Sequence, residues 1–234
     1  MIEATDERLQ NLLAQRGIAS RRGAAEMIEA GRVCVNDKII TIPGTRIPAT
    51  ASITIDGRTI PCTAEARHTY LYNKPAGEIC STDGQGGRTV LEAFRKLHLR
   101  LVPVGRLDKE SEGLLLISND GELINLLTHP RYNHKKVYDV EVNMIPTPQQ
   151  LAILRSSLIL EGYRIRPVPV TQLGPHQLRF VLSEGRHRQI RLMCEEAQLR
   201  VEHLRRISLS NLQLGDLAVG CFRELSLDEI KRIL

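Results

Sequence analysis

The stretch Gly105-Arg106-Leu107-Asp108-Lys109-Glu110-Ser111-Glu112-Gly113-Leu114-Leu115 joins two apolar segments, Leu101 to Val104 before it and Leu114 to Ser118 after it. Short apolar runs of this kind read as strands. A carboxylate therefore stands at the end of a strand, one apolar residue after an arginine. Gly113 permits a turn ahead of the second run. Two roles fit Asp108. An aspartate after a strand commonly caps the next turn with a side-chain oxygen. A neighbouring cation, in contrast, favours the ionised form that a nucleophile or general base needs.

Outward from this stretch the chain mixes strands and helices. Tyr70-Leu71-Tyr72 reads as a strand stopped by Lys74-Pro75-Ala76-Gly77, and Thr89 to Leu97 as a helix. Asp120 is placed to cap a helix through Leu123, Ile124, Leu126 and Leu127. Val137 to Val142 alternates as a half-buried strand should, which puts Lys136 and Tyr138 on one face. Thr147-Pro148-Gln149-Gln150 and Ser226-Leu227-Asp228-Glu229 are capping boxes that open further helices. Val168 to Leu173 and Gln177 to Leu182 read as a strand pair, and His187 to Gln198 as a helix. Strands and helices in this order, with hairpins, predict an α+β domain around an antiparallel or mixed sheet.

Residues 1–62 read as a smaller αβ unit, 63–69 as a polar linker and 70–234 as the larger domain. In the small unit Asp6 is expected to cap a helix bearing Leu9, Leu12 and Leu13 on one face, with Gly17 at its C-terminal stop. Ser20 is expected to cap a second helix ended by Gly31. Asn36-Asp37 and Asp56-Gly57 then mark tight turns between short strands.

The 234 residues carry 32 Lys and Arg against 27 Asp and Glu, a net charge of +5 and a pI of about 9.1. That balance permits a nucleic-acid partner, and the placement of the arginines matters more. Arg179, Arg186, Arg188, Arg191, Arg200, Arg205 and Arg206 fall close together, and Arg16, Arg21 and Arg22 form a second group. A solvated helix face balanced by Glu195, Glu196 and Glu202 fits part of the first group equally well. Five cysteines with no CxxC spacing read as free thiols in a reducing compartment. No segment approaches the roughly 20 apolar residues that span a bilayer. The acidic start, Met1 to Glu7, lacks a signal-peptide pattern, so a cytoplasmic protein is expected.

Arg8-Leu9, Gly17-Ile18-Ala19-Ser20-Arg21-Arg22, Gly31-Arg32-Val33 and Val35-Asn36-Asp37-Lys38 together resemble the S4 RNA-binding domain. That resemblance implies RNA contact through Arg8, Arg16, Ser20, Arg21, Arg22 and Lys38. Four further motifs follow in order: Asn73-Lys74-Pro75-Ala76-Gly77, the Asp108 stretch, Lys136-Val137-Tyr138, and Ser183-Glu184-Gly185-Arg186-His187-Arg188-Gln189-Ile190-Arg191-Leu192-Met193. In this order and spacing, behind an S4-like unit, they closely resemble the RsuA branch of pseudouridine synthases, which modify ribosomal RNA.

The resemblance implies that Asp108 is the catalytic aspartate, that Tyr138 lies against the uracil ring, and that Arg191 pairs with the aspartate. It implies that Ile190 walls the base and that Arg106 helps to hold the target nucleotide out of its helix. Leu107, Lys74, Arg186 and Arg188 are further candidates for substrate contact. As residues alone, Tyr138 also fits a core aromatic, and Arg191 a surface cation four residues before Glu195. His129, His134, His187 and His203 read as RNA-contact or structural residues, and Glu110 and Glu112 as surface acids. Leu192 stands where many relatives carry arginine. No metal and no cofactor is expected. The expected partner is ribosomal RNA or a ribosome assembly intermediate, engaged by a monomer.

Overall fold

The computed structural model describes residues 6–82, 84 and 87–233. Residues 1–5 of the small unit and residue 234 of the larger one lie outside the described residues. The chain divides into two compact units, residues 1–67 and 68–234. The first strand of the second unit begins at Thr69, inside the segment expected to be linker, and Thr69 is buried.

In the small unit the helices Leu9–Gln15 and Arg21–Glu29 enclose a core built from Leu9, Leu13, Ala24, Ile28, Val33 and Ile53. Ser20 caps the second helix by accepting from the Gly23 N–H at 2.8 Å. Asp6 does not cap the first. It belongs to a short strand, Asp6–Arg8, paired with Arg46–Pro48, and the helix starts after Arg8 with no side-chain cap. Pairing across 40 residues thus overrides the local capping signal. Asn36, Asp37, Asp56 and Gly57 all adopt positive φ, which the tight hairpin turns require.

The larger unit is organised by one mixed sheet. Its strands run in the order Val170–Gly174, Gln177–Leu182, Lys136–Val142, Val201–Leu209, Glu112–Ser118, Thr69–Lys74 and Phe222–Glu224. Neighbours are antiparallel except Val201–Leu209 beside Glu112–Ser118, which pair parallel through Arg205 with Glu112 and Arg206 with Gly113. Leu115 and Ile117 enter one apolar cluster with Tyr72, Phe94 and Val140. Leu114 and Leu116 enter another with Leu71, Leu123 and Leu127. A strand covered on both faces reads as an unbroken apolar run, which explains Leu114 to Ile117.

Gly113 lies inside that strand and not at a turn. Its φ is +99°, and a Cβ there would stand 2.3 Å from the Arg206 carbonyl oxygen. The parallel crossing therefore demands glycine.

The expected capping at Asp120, Thr147 and Ser226 is present. Asp120 Oδ1 accepts from the Glu122 and Leu123 N–H groups, and Thr147 Oγ1 accepts from the Gln150 N–H. Ser226 Oγ accepts from the Glu229 N–H, while Glu229 is also gripped by both ends of the Arg223 guanidinium at 2.7 and 3.0 Å. These bonds, Arg223 first and then the Ser226 N–H, hold the Glu229 carboxyl down to about 2. The folded value lies below the ordinary one, so the stabilisation is full above pH about 4.5 and is lost as pH falls toward 2. Glu229→Gln should cost about 2 kcal/mol at neutral pH, as expected for charge-assisted bonds. Thermal melts of the two proteins should converge as pH approaches 2.

Candidate active site

The strand order brings three remote segments to one place. A cleft of about 550 Å³ is lined by residues 104–108 and 111, by 127–129, 133–134, 136 and 138, and by 182–191 with Leu204, Arg206 and Leu209. That volume lies within the range of about 300–1,000 Å³ usual for ligand sites. Asp108, Tyr138 and Arg191 all line it, as do Arg106, Leu107, Ile190, Arg186 and Arg188.

Asp108 sits half-buried where the loop leaves the Val102–Val104 strand. The Ser111 N–H donates to its backbone carbonyl at 3.1 Å, closing a turn. Among the described residues no hydrogen bond or ion pair engages the Asp108 carboxylate, so it does not act as the cap that local spacing allowed. The loop is held from beneath instead. Lys74 is fully buried, and its Nζ donates to the carbonyls of Pro75 at 2.9 Å, Lys109 at 3.2 Å and Ser111 at 2.8 Å. The Gly77 N–H adds a bond to the Lys109 carbonyl at 2.7 Å. Burial pushes the Lys74 ammonium below its ordinary range, with Cys80, Glu78, Glu112 and Asp108 opposing that shift.

Lys74 is thus not a substrate contact. It lies outside the cleft lining, and its Nζ is engaged by two carbonyls of the loop, Lys109 and Ser111, and by that of Pro75. Sequence spacing showed a cation in a turn but not the direction in which its side chain runs.

Tyr138 is 7% exposed, so it belongs to the core cluster while its accessible edge lines the cleft. Its cross-strand neighbours are Phe180 and Arg206. The register between the two central strands shifts beside it, passing from Val137–Ser208 to Tyr138–Arg206 and leaving Ile207 as the extra residue. Bulges re-aim side chains in this way. Arg206 was visible in the sequence only as one of a cluster. It is 3% exposed, lines the same cleft, and donates from Nε to the Leu114 carbonyl at 2.7 Å. Burial first, and then the charge of Arg206, pushes the Lys136 ammonium below its ordinary range. Glu184, His129, His134 and His187 also line the cleft.

The helix Gln189–Glu196 begins two residues later than expected, after Arg188 in the left-handed region at φ +50°. Gln189 steadies the approach by accepting from the Arg186 N–H at 3.1 Å. Arg191 projects toward the loop, where its Nη2 donates to the Glu110 carbonyl at 3.4 Å. Arg188 meets the Glu110 carboxylate at 3.3 Å. The expected Arg191–Asp108 pair is therefore replaced by contacts to Glu110, because the Asp108–Ser111 turn carries that residue toward the helix. Neither Glu110 nor Glu112 lines the cleft. Leu192 packs against the main core cluster.

In the small unit Arg8, Arg21, Arg22 and Lys38 are exposed. Arg16 is not available as an RNA contact. It is 8% exposed, and its Nη2 donates to the Ala49 carbonyl at 2.8 Å, tying the first helix to the loop before the Ile53–Ile55 strand. The Ser20 hydroxyl serves as the helix cap described above. All five cysteines are free.

Residues 68–196 match the profile of the family described as RNA pseudouridylate synthase, and residues 7–53 that of the S4 domain. The chain belongs to the RNA pseudouridylate synthase family. It is 36% identical to "Ribosomal large subunit pseudouridine synthase B" of Bacillus subtilis, across 97% of this chain and 95% of that one. It is 33% identical to "Dual-specificity RNA pseudouridine synthase RluF" of Escherichia coli K12, across 98% of this chain and 79% of that one. A crystal structure of a pseudouridylate synthase superposes with a TM-score of 0.71 at 25% identity, covering 97% and 99% of the two chains. The fold of this pseudouridylate synthase family member is therefore that of an S4 domain followed by a mixed-sheet synthase domain.

Removing the Lys74 ammonium would take the donor from the Pro75 and Ser111 carbonyls and leave the Lys109 carbonyl only the Gly77 N–H. We expect Lys74→Met to lose about 2–4 kcal/mol of stability in urea unfolding, given the cost of buried unpaired acceptors. A loss below about 0.5 kcal/mol, the level of an ordinary surface substitution, would show that the clamp does not hold the loop.

Proposed function

We propose that this chain converts a uridine of ribosomal RNA into pseudouridine with Asp108 as the catalytic carboxylate. The observation that carries the reading is the convergence of Asp108, Tyr138 and Arg191, from three segments far apart in sequence, on one cleft. A large-subunit rRNA substrate is favoured by the relative in Bacillus subtilis, whose name specifies the large subunit.

A target base inside a helix must be extruded before its glycosidic bond can be reached, at a cost of a few kcal/mol. Arg106, exposed at the cleft beside Asp108, is placed to fill the vacated space. Leu107 and Ile190 supply apolar walls, while Arg186 and Arg188 bring positive charge to the same cleft for the RNA backbone. The Asp108 carboxylate attacks C1′ of the nucleoside, and the C1′–N1 bond breaks with its electron pair departing on uracil. The uracil rotates within the cleft, and its C5 attacks C1′ and displaces the Asp108 carboxylate, which leaves with the electron pair of the O–C1′ bond; the C5 proton is then lost and N1 gains one. Tyr138, whose edge faces the cleft, lies against the ring and assists removal of that proton.

Arg191, held by its bond to the Glu110 carbonyl, adds positive charge to the cleft that holds the carboxylate without pairing with it. A glycoside hydrolase needs a second carboxylate to protonate its leaving oxygen. Uracil leaves through nitrogen and is retained, so Glu110 and Glu112, outside the cleft lining, are not required. No metal or cofactor enters this scheme. The proposed setting is a monomer in the cytoplasm, acting on rRNA or an assembly intermediate.

Incubation of rRNA labelled with tritium at uracil C5 tests the scheme. Wild type should release tritium, and Asp108→Asn should lower the rate by at least a thousandfold, about 4 kcal/mol of barrier. Undiminished release by the variant would reject Asp108 as the catalytic group.

The exposed Arg21 and Arg22 of the small unit are proposed to contact RNA phosphates, with Arg8 and Lys38. Each phosphate contact adds about one to the slope of log affinity against log salt. The Arg21→Ala/Arg22→Ala pair should therefore flatten the measured slope by up to about two. An unchanged slope would exclude that face from docking.

A further inference from the structure

Tyr163 belongs to a hairpin, Leu158–Leu160 with Tyr163–Ile165, turned by Glu161 and Gly162 at positive φ. The register pairs Leu158 with Ile165 and Leu160 with Tyr163, which places these four on one face and Ile159 with Arg164 on the other. Leu160 and Ile165 are buried in the main core cluster. Tyr163 shares their face and yet is 59% exposed. Its ring overhangs the edge of the core, where the Arg186 guanidinium lies over it at 4.7 Å from the ring centre. Arg186 lines the cleft that holds Asp108. A large exposed aromatic thus extends the cleft wall through a cation that itself faces the site.

We propose that the Arg186–Tyr163 pair is a stacking platform for an unpaired nucleobase flanking the target uridine, and that it positions the RNA strand at the cleft. This deepens the reading of the site given above and rests on it. Extruding one base leaves its neighbours unstacked. Proteins hold such bases on aromatic rings and on arginine planes. The surroundings suit a polyanionic strand: Arg164 and Arg166 are exposed on and beside the same hairpin, and Arg188 lines the cleft, against Glu161 in the turn and Glu184 at 4.0 Å from Arg186. With 3% aromatic residues in the chain, few other rings are offered to RNA.

A purely structural role for the pair, pinning the hairpin to the 183–188 loop, makes different forecasts. A platform changes KM and binding while sparing kcat and the melting temperature. Stacking of a single base on an exposed ring is a roughly tenfold effect on affinity. Tyr163→Ala should therefore bind rRNA transcripts about tenfold more weakly and raise KM by about tenfold, with kcat within about twofold of wild type. Tyr163→Phe keeps the ring and should restore both. Ile159→Ala, on the opposite face of the hairpin, should behave as wild type.

The chain contains no tryptophan, so Tyr163→Trp introduces a single indole reporter. Its emission should be quenched saturably by large-subunit rRNA transcripts and not by a continuous RNA duplex of equal length, which offers no unstacked base. Equal binding by wild type and Tyr163→Ala, or an indole insensitive to rRNA, would overturn the platform. So would a Tyr163→Ala defect confined to kcat and melting temperature. If wild type released no tritium while the quench and the tenfold binding difference held, the isomerase reading would fail and the platform would stand. Normal tritium release with no dependence on Tyr163 would do the reverse.

Discussion

A single buried ammonium organises the site. Lys74 ends the strand next to one edge of the sheet and turns its Nζ under the loop that carries Asp108, where it meets three backbone carbonyls. Loops leave carbonyl groups pointing in several directions, and burying them without donors is costly. One cation with three donors answers that need at a single point. The carboxylate is thereby fixed by backbone geometry, and its own oxygens are left free of capping duty.

The sheet supplies the remaining constraints. The parallel pairing of Glu112–Ser118 with Val201–Leu209 brings the end of the Asp108 loop against the strand that carries Arg206. It does so at Gly113, where any side chain would collide with the Arg206 backbone. The strand Lys136–Val142 pairs on the far side of Val201–Leu209, with a bulge at Ile207 that sets the position of Tyr138. The helix Gln189–Glu196 then closes the cleft from the side through Arg188 and Arg191, both gripping Glu110. Glu110 is held below the ordinary carboxylate range, first by its own backbone N–H and also by those two arginines. The arginines are in this way tethered beside Asp108 and not neutralised by it.

Much of this was legible in the residues. Capping at Ser20, Asp120, Thr147 and Ser226 depends on groups three or fewer residues apart, and local spacing reports it faithfully. The two-face burial of Leu114 to Ile117 left its mark as an uninterrupted apolar run. What misled was side-chain direction. Arg16 and Lys74 both carry a positive charge in a polar context, and sequence reads such residues as facing solvent or RNA. Each in fact satisfies buried carbonyls, Ala49 in one case and the Asp108 loop in the other. Asp6 was lost to a strand pairing with Pro48, far along the chain.

The order of its motifs determined, without coordinates, that this chain joins an S4 unit to an α+β synthase domain, and which acid, phenol and arginine to look for. Short-range chemistry and periodicity survive in the sequence because each involves residues a few positions apart. Only the tertiary structure decided that Arg191 grips Glu110, that Lys74 serves the loop, that Arg206 and Arg186 border the cleft, and that Arg186 lies over the Tyr163 ring. Those facts depend on how strands distant in the chain are laid side by side, and on the rotamer by which a long cationic side chain reaches a carbonyl. Neither has a local signature.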